Sequence, residues 1–173
     1  MNNKFVLIPV DLLKNVLSSV TDPNLQDQIK DILKTREVIE KQEVTKLPKV
    51  AHVKHVIDGD TVELQNGLVL RYVGITAPEE GEPFDKESTE LNRKLVEGKE
   101  IKLEYDNYKS DKFGRILAYA IVDGKNVSIE LAKTGMAELV IYQKRKPFIY
   151  QTKLLKVQEE AKKKKLGIWS NKN

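Results

Sequence analysis

The sequence has no cysteine and only two histidines among its 173 residues. The absence of cysteine excludes disulfides, a thiol nucleophile and any Cys-ligated zinc or iron–sulfur centre. His52 and His55 are too few for a three-histidine metal site, and they give a Ser-His-Asp triad little support. The chemistry of this chain must therefore be sought in other side chains.

Long apolar runs are also absent. The longest near the start extends from Phe5 to Val10, where Asp11 ends it. A membrane span needs about 20 apolar residues. The run is also short for a signal peptide, and no small-residue cleavage site follows it. We therefore expect no membrane span and a cytoplasmic location, or a secreted protein if a leader precedes the printed sequence.

The charge is mildly positive, with 30 basic and 26 acidic side chains and a net charge of +4. This balance excludes a strongly acidic, solvating chain and permits an anionic partner. Arginine is scarce among the basic residues, at Arg36, Arg71, Arg93, Arg115 and Arg145. In so lysine-rich a chain, an arginine favours a role for its planar fork, such as a bidentate phosphate contact.

Acidic side chains are concentrated between Asp58 and Glu87. An acidic pocket in a basic protein would suit a divalent cation on a nucleic-acid enzyme. Ordinary scatter of surface carboxylates is the alternative explanation of this pattern.

Residues 1–46 are predicted to be a separate helical extension of two amphipathic helices. The first is capped by Asp11 and extends to about Val20. The second is capped by Asp22, has Pro23 at its first position and extends to about Gln42. Their apolar stripes require a partner, which is the main domain, the other helix, a protein partner or a second copy of the chain. We see no chemistry in this segment.

From Val50 onward the pattern changes to alternating, β-branched residues. The turn signals Asp58-Gly59 and Asn66-Gly67 divide this stretch into a three-stranded meander. The meander is followed by a helix, two strands and two further helices, predicted at residues 85–97, 101–105, 114–122, 127–133 and 148–166. This order predicts a mainly β (α+β) domain over residues 50–170, with a five-stranded OB-type barrel and three helices.

Four side chains in this domain suggest a reaction when they are considered together. Asp60 lies in a turn, Arg71 in an apolar strand, Glu79 in a loop and Arg115 at the start of the fifth strand. Each has an ordinary structural explanation when taken alone. Together they supply one carboxylate for a metal, one for water and two guanidinium groups for a phosphate. Those are the parts that metal-assisted phosphodiester cleavage requires.

Four motifs carry a family resemblance: Asp58-Gly-Asp-Thr-Val62, Arg71-Tyr-Val-Gly-Ile-Thr-Ala-Pro-Glu79, Asp111-Lys-Phe-Gly-Arg-Ile-Leu-Ala-Tyr119 and Leu166-Gly-Ile-Trp169. Through them the chain from about Val50 to Trp169 resembles the staphylococcal (micrococcal) nuclease, or thermonuclease, family. The resemblance implies an OB-fold hydrolase, a calcium-dependent endonuclease acting on DNA and/or RNA. In that family, water attacks the phosphorus and 3′-phosphate ends remain.

The resemblance also implies roles for individual residues. Asp60 and the backbone carbonyl of Ala77 would bind Ca²⁺. Glu79 would be the general base or would orient the water, and Arg71 and Arg115 would hold the scissile phosphate. Three further side chains are predicted to contact substrate: Lys112, Tyr108 and Tyr142.

One position departs from the family pattern, because Thr76 stands where the family usually has aspartate. Its hydroxyl is a candidate ligand, but the loss of one negative ligand should weaken calcium binding. Glu80 or Glu82, from the same loop, is a candidate replacement.

This departure leaves an alternative open: a catalytically weakened or inactive nucleic-acid-binding domain of the same fold. Glu79 argues against that alternative, because binding alone does not require a carboxylate beside phosphates. A scaffold role for residues 1–46 is a further alternative.

Overall fold

The fold is described from a computed structural model, which covers residues 10–45, 47–142 and 146–170, without the side chains of residues 10–11 and 36–45. The chain divides near Leu47 into two compact units. Residues 5–9 of the apolar run near the start lie outside the described residues.

The first unit is a pair of helices, α1 (Val10–Ser19) and α2 (Pro23–Thr45). Because α1 begins at Val10, Asp11 lies within the helix, and the predicted cap at Asp11 is wrong. Asp22 caps α2 as predicted, since its Oδ1 accepts the backbone N–H groups of Asn24 (2.8 Å) and Leu25 (3.3 Å). Apolar side chains from both helices form a small core of their own: Leu13, Ile29 and Leu33, with Leu17 and Val20 packed against them.

The second unit is built on a closed barrel. Its elements in chain order are β1 (Val50–Val56), β2 (Thr61–Leu64), β3 (Val69–Tyr72), β4 (Ile75–Thr76), α3 (Asp85–Val96), β5 (Glu100–Glu104), β6 (Ile116–Val122), β7 (Lys125–Asn126), α4 (Val127–Lys133), β8 (Glu138–Leu139), α5 (Gln151–Lys163) and a 3₁₀ turn, Gly167–Trp169. Strands β3, β2, β1, β5 and β6 pair in that order, and a parallel β3–β6 pairing closes the ring. The predicted five-stranded OB-type barrel with three helices is confirmed.

Some element boundaries differ from those predicted. β6 begins at Ile116 rather than residue 114, because residues 111–114 form a turn closed by the Gly114 N–H to Asp111 carbonyl bond of 3.1 Å. The last helix begins at Gln151 rather than residue 148 and ends at Lys163 rather than residue 166. The two-residue strands β4, β7 and β8 were not predicted, since so short a strand has no readable alternation.

The parallel pairing of β3 with β6 positions two arginines together. Arg71 on β3 is the register partner of Leu117 on β6. Arg115 precedes Leu117 by two residues, and side chains two apart on an extended chain lie on the same face. Both guanidinium groups therefore emerge on the same side of the barrel.

The turn before β2 is held tightly against α3. Asn92 of α3 donates from Nδ2 to the carbonyl of Asp58 (2.9 Å), and its Oδ1 accepts the hydroxyl of Tyr72 (2.9 Å). A Cβ on Gly59 would lie 2.5 Å from the Cβ of Ala77 and would overlap the Ser88 hydroxyl. Only glycine fits where the turn comes this close to Ala77 and Ser88. The close contact fixes the position of the next residue, Asp60.

Candidate active site

Asp60 is an almost fully buried carboxylate, with 5% of its surface exposed. Its Oδ1 accepts the hydroxyl of Thr61 (2.8 Å), and its Oδ2 accepts the backbone N–H of Ala77 (2.9 Å). Oδ2 also lies 3.1 Å from Nη1 of Arg71. The turn, β3 and the residue after β4 therefore meet at one carboxyl group.

Burial raises the pKa of the Asp60 carboxyl, although the Arg71 guanidinium and the Ala77 N–H act in the opposite direction. The cause is the cost of removing a carboxylate from water, which a nearby positive charge offsets.

Arg71, on β3, links Asp60 to the short strand β4. Its Nη1 donates to the carbonyl of Ile75 (3.1 Å) and its Nη2 to the hydroxyl of Thr76 (3.3 Å). The ion pair with Asp60 and these two hydrogen bonds engage both terminal nitrogens of a guanidinium group whose side chain is 21% exposed.

The donors around Asp60 fit a hard cation in kind. A carboxylate, a hydroxyl and a backbone carbonyl, from Asp60, Thr76 and Ala77, are oxygen ligands of the type that Ca²⁺ and Mg²⁺ prefer. Within the described parts of the chain, no group of three or more Asp, Glu, His or Cys side chains could hold a metal ion. The set therefore carries a single negative charge.

Arg115 is fixed by the turn that precedes it. Asp111 accepts the Nε–H of Arg115 at Oδ2 (2.7 Å) and its backbone N–H at Oδ1 (3.1 Å). The same Oδ1 accepts the N–H of Phe113 (2.9 Å), which closes the turn. These bonds use the Nε–H but neither terminal nitrogen of the guanidinium, on a side chain that is 29% exposed.

A cleft of about 370 Å³ lies beside these arginines. Five of the predicted site residues line it: Arg71, Arg115, Lys112, Tyr108 and Tyr142. Two carboxylates also line it, but Asp111 is bonded to Arg115, and Asp106 accepts the Tyr119 hydroxyl (3.1 Å) and the Ile149 N–H (2.7 Å). The cleft therefore has more positively than negatively charged side chains, and both of its carboxylates already accept hydrogen bonds.

Two further cleft residues were not predicted, Phe113 and Lys146. Phe113 is 71% exposed, and its ring lies under Nζ of Lys112 (4.9 Å) and the guanidinium carbon of Arg115 (5.4 Å). An aromatic residue inside the charged turn Asp111–Arg115 was the available signal. The sequence carried no such signal for Lys146, because the place of Lys146 in the cleft depends on how the chain returns to the barrel.

Glu79 lies outside the lining of the cleft, as do the predicted cation ligands Asp60, Thr76 and Ala77. Glu79 is exposed in the loop after β4, and its backbone N–H donates to Oε2 of Glu82 (2.8 Å). The bond to Glu82 engages that carboxylate in shaping the loop, which weakens the prediction that Glu82 replaces the missing ligand.

Comparison with known proteins identifies the family of this chain. Residues 69–171, which include both arginines and Glu79, match the family described as Staphylococcal nuclease homologue. The chain belongs to the staphylococcal nuclease family. The predicted family resemblance is therefore confirmed.

Relatives in this nuclease family are similar over about 125–131 residues. The chain is 38% identical to SPbeta prophage-derived endonuclease YokF and 37% identical to Endonuclease YncB, both of Bacillus subtilis (strain 168), over 66% of its length. The matches span 42% and 58% of those two proteins. The chain is 34% identical to Thermonuclease of Staphylococcus hyicus, over 69% of this chain and 75% of that protein.

Among the described helices, none combines the length and the apolar character that crossing a bilayer requires.

Proposed function

We propose that this chain is a calcium-dependent nuclease that hydrolyses phosphodiester bonds of DNA and/or RNA. The observation that carries the proposal is the placement of two guanidinium groups on one cleft, with one of them bonded to a buried carboxylate. Membership of the nuclease family supports it, as do the names of the similar proteins.

The two arginines bind the phosphate and stabilise the added charge of the transition state. Arg71 is oriented by Asp60, and Arg115 is oriented by Asp111. Guanidinium groups held in this way need little reorganisation as negative charge develops on the phosphoryl oxygens. Their planar forks also match two oxygens at once, which a lysine ammonium does not.

The cation would be held by the Asp60 carboxylate, the Ala77 carbonyl and the Thr76 hydroxyl. When bound, it supplies Lewis-acid polarisation of a phosphoryl oxygen and neutralises charge. Asp60 also pairs with Arg71, so the same carboxylate would contact both the cation and the Arg71 guanidinium.

Glu79 accepts the proton of the attacking water. The water oxygen forms a bond to phosphorus, the bond to the leaving oxygen breaks, and the leaving oxygen takes a proton from solvent. The loop carrying Glu79 follows directly from Thr76 and Ala77, and the Glu82 carboxylate fixes its backbone. Exposure leaves the Glu79 side chain accessible to water and substrate.

The substrate is proposed to be an unpaired stretch of nucleic acid. Exposed aromatic rings of Phe113, Tyr108 and Tyr142 surround the cleft and offer stacking faces. Lys112 and Lys146 add positive charge for the backbone. Stacking does not distinguish deoxyribose from ribose, so both DNA and RNA fit this site.

Thr76 supports a second candidate function, a nucleic-acid-binding domain with weak or no cleavage. The Thr76 hydroxyl is uncharged and accepts a hydrogen bond from Arg71. Asp60 therefore supplies the only negative charge among the three proposed oxygen ligands. The two functions are distinguished by incubating a fluorescent single strand with Ca²⁺. Cleavage supports the nuclease, whereas a stable anisotropy increase without product supports the binding domain.

Glu79→Gln should lower the cleavage rate at least ~10²-fold, since the amide cannot accept the proton of water. Binding of the oligonucleotide should be unchanged or tighter, because a negative charge near the phosphates is lost. The measurement is kcat/KM on single-stranded DNA and RNA with saturating Ca²⁺. Glu87→Gln is the matched control, being an exposed carboxylate on α3 that does not line the cleft, and should retain parental activity. Equal activity of the two variants would remove Glu79 from the mechanism.

Thr76→Asp should strengthen Ca²⁺ binding by about tenfold or more, because affinity rises with ligand charge. Titration calorimetry on the intact protein measures the change. Thr134 lies outside the oxygen set, so Thr134→Asp provides a control for the added charge alone. Unchanged affinity in Thr76→Asp would show that residue 76 does not face the cation.

A further inference from the structure

The short strands β4 and β8 bring one more carboxylate to the side of the barrel that carries Arg71. Thr76 of β4 is the antiparallel register partner of Glu138 of β8. Side chains directly opposite each other in such a pair lie on the same face, with Cβ atoms about 4.5–5.5 Å apart. The Thr76 hydroxyl accepts a hydrogen bond from Nη2 of Arg71 (3.3 Å), so this is the face that Arg71 occupies. Glu138 therefore emerges beside Thr76, one of the three proposed oxygen ligands.

The burial pattern of both strands agrees with this placement. Thr76 and Glu138 are each half-buried. The residues on either side of them in the chain are buried in the core: Ile75, Ala77, Ala137 and Leu139. Because neighbouring side chains on an extended chain point to opposite faces, Thr76 and Glu138 share the face that is turned away from that core.

Hydrogen bonds from two helices hold the backbone around Glu138 in place. The N–H of Leu139 donates to Oε1 of Gln158 on α5 (2.7 Å). The hydroxyl of Ser88 on α3 donates to the carbonyl of Met136 (2.7 Å). Gln158 and Ser88 are themselves buried. The chain is therefore anchored on both sides of Glu138, and its register against β4 is fixed.

The charge of Asp60 is already balanced by Arg71 before any cation binds. Their side chains form an ion pair in which Nη1 lies 3.1 Å from Oδ2. The other two proposed ligands, the Thr76 hydroxyl and the Ala77 carbonyl, are neutral. A divalent cation that leaves water needs compensating negative charge, and affinity for Ca²⁺ depends on the number of charged ligands. A second carboxylate on this face, such as that of Glu138, meets this need.

We propose that Glu138 is the second carboxylate of the cation site and binds Ca²⁺ together with Asp60. This inference rests on the proposed function, because it concerns the same cation. Thr76 places a neutral hydroxyl where the family usually has aspartate, and Glu138 supplies the negative charge from the facing strand instead. Glu82, the other candidate replacement, accepts the backbone N–H of Glu79.

The first test is calorimetric titration of the folded full chain with Ca²⁺, without nucleic acid. Glu138→Gln should weaken Ca²⁺ binding at least ~10-fold, because a neutral amide of the same shape replaces the carboxylate. Glu130→Gln is the matched control, being a half-buried carboxylate on α4 that does not line the cleft, and should bind Ca²⁺ as the parent does. Parental affinity in Glu138→Gln would overturn the inference.

A second variant separates a lost ligand from a disturbed strand pair. Thr76→Asp/Glu138→Gln returns a carboxylate to the facing strand and should regain most of the affinity that Glu138→Gln loses. A failure to regain it would also overturn the inference. Melting temperatures with and without Ca²⁺ give an independent readout, since a ligand that binds only the folded state raises the melting temperature. That rise should be smaller in Glu138→Gln than in the parent.

These outcomes distinguish the inference from the proposed nuclease function. A parent protein that does not bind Ca²⁺ would overturn both the calcium dependence and the role of Glu138. Equal Ca²⁺ affinity in the parent and in Glu138→Gln would overturn the role of Glu138 alone. Weakened binding in Glu138→Gln, in a chain that does not cleave nucleic acid, would support the role of Glu138 and reject the nuclease.

Discussion

Replacing Arg115 with lysine should lower kcat/KM for single-stranded DNA by at least ~10²-fold while leaving the fold intact. Lysine keeps the positive charge but presents a single ammonium in place of a fork. It would also lose the Nε contact to Asp111 Oδ2, at 2.7 Å, that aims the guanidinium into the cleft. Cleavage of a labelled oligonucleotide, combined with a urea denaturation curve, measures both effects.

Arg93→Lys is the matched control for this prediction. Arg93 belongs to α3, pairs with Glu90 and Glu97 on its own helix, and does not line the cleft. Its replacement should leave the rate unchanged and alter stability little, because exposed ion pairs contribute little to it. A parental rate in Arg115→Lys would show that charge alone, without bidentate geometry, is sufficient at this position.

Asp60→Asn should have the second large effect, because it removes the negative charge of the oxygen set. We expect Ca²⁺ affinity to fall by more than about 10–100-fold, the range found for groups that only support a ligand. Cleavage should fall with it. The substitution also leaves Arg71 beside a neutral amide, so the free energy of unfolding should decrease by about 1–3 kcal/mol.

The readout that isolates the cation is calorimetric titration with Ca²⁺ on the folded variant. Asp123→Asn is the control, since Asp123 is an exposed turn residue with a φ of 49°, a conformation that asparagine tolerates. It should bind Ca²⁺ as the parent does. Parental affinity in Asp60→Asn would mean that the cation is held elsewhere.

The barrel could be predicted because its signals are local. Asp58-Gly59 and Asn66-Gly67 mark turns, and the alternation between them marks strands. The capping of α2 by Asp22 could also be predicted, from the Asp-Pro pair alone. Each of these features depends on residues within a few positions of one another, so no knowledge of the tertiary structure was needed.

The site could be predicted only in part, because its contacts join distant segments. The sequence indicated Arg71 and Asp60 as separate groups, but not the ion pair between them, in which Nη1 lies 3.1 Å from Oδ2. That contact depends on the Gly59 turn approaching Ala77 across the barrel. The position of Lys146 in the cleft similarly depends on how the segment before α5 returns, where Asp106 accepts the N–H of Ile149.

Thr76 shows how a motif and a structure contribute different information. The motif indicated a missing carboxylate at this position. The structure adds that the hydroxyl accepts a hydrogen bond from Arg71 at 3.3 Å, so the position still helps to orient the guanidinium. One residue is therefore expected to affect cation affinity without displacing the phosphate-binding group.

Cleavage by this chain is predicted to require a cation held at Asp60, which pairs with the cleft residue Arg71. The direct measurement is the single-turnover cleavage rate of an end-labelled single strand by the parent protein, first with Ca²⁺, then with EDTA, then with Ca²⁺ restored in excess. We predict cleavage with Ca²⁺, loss of product formation in EDTA and full recovery on readdition. An undiminished rate in EDTA would contradict the account, and so would an intact strand in the presence of bound Ca²⁺.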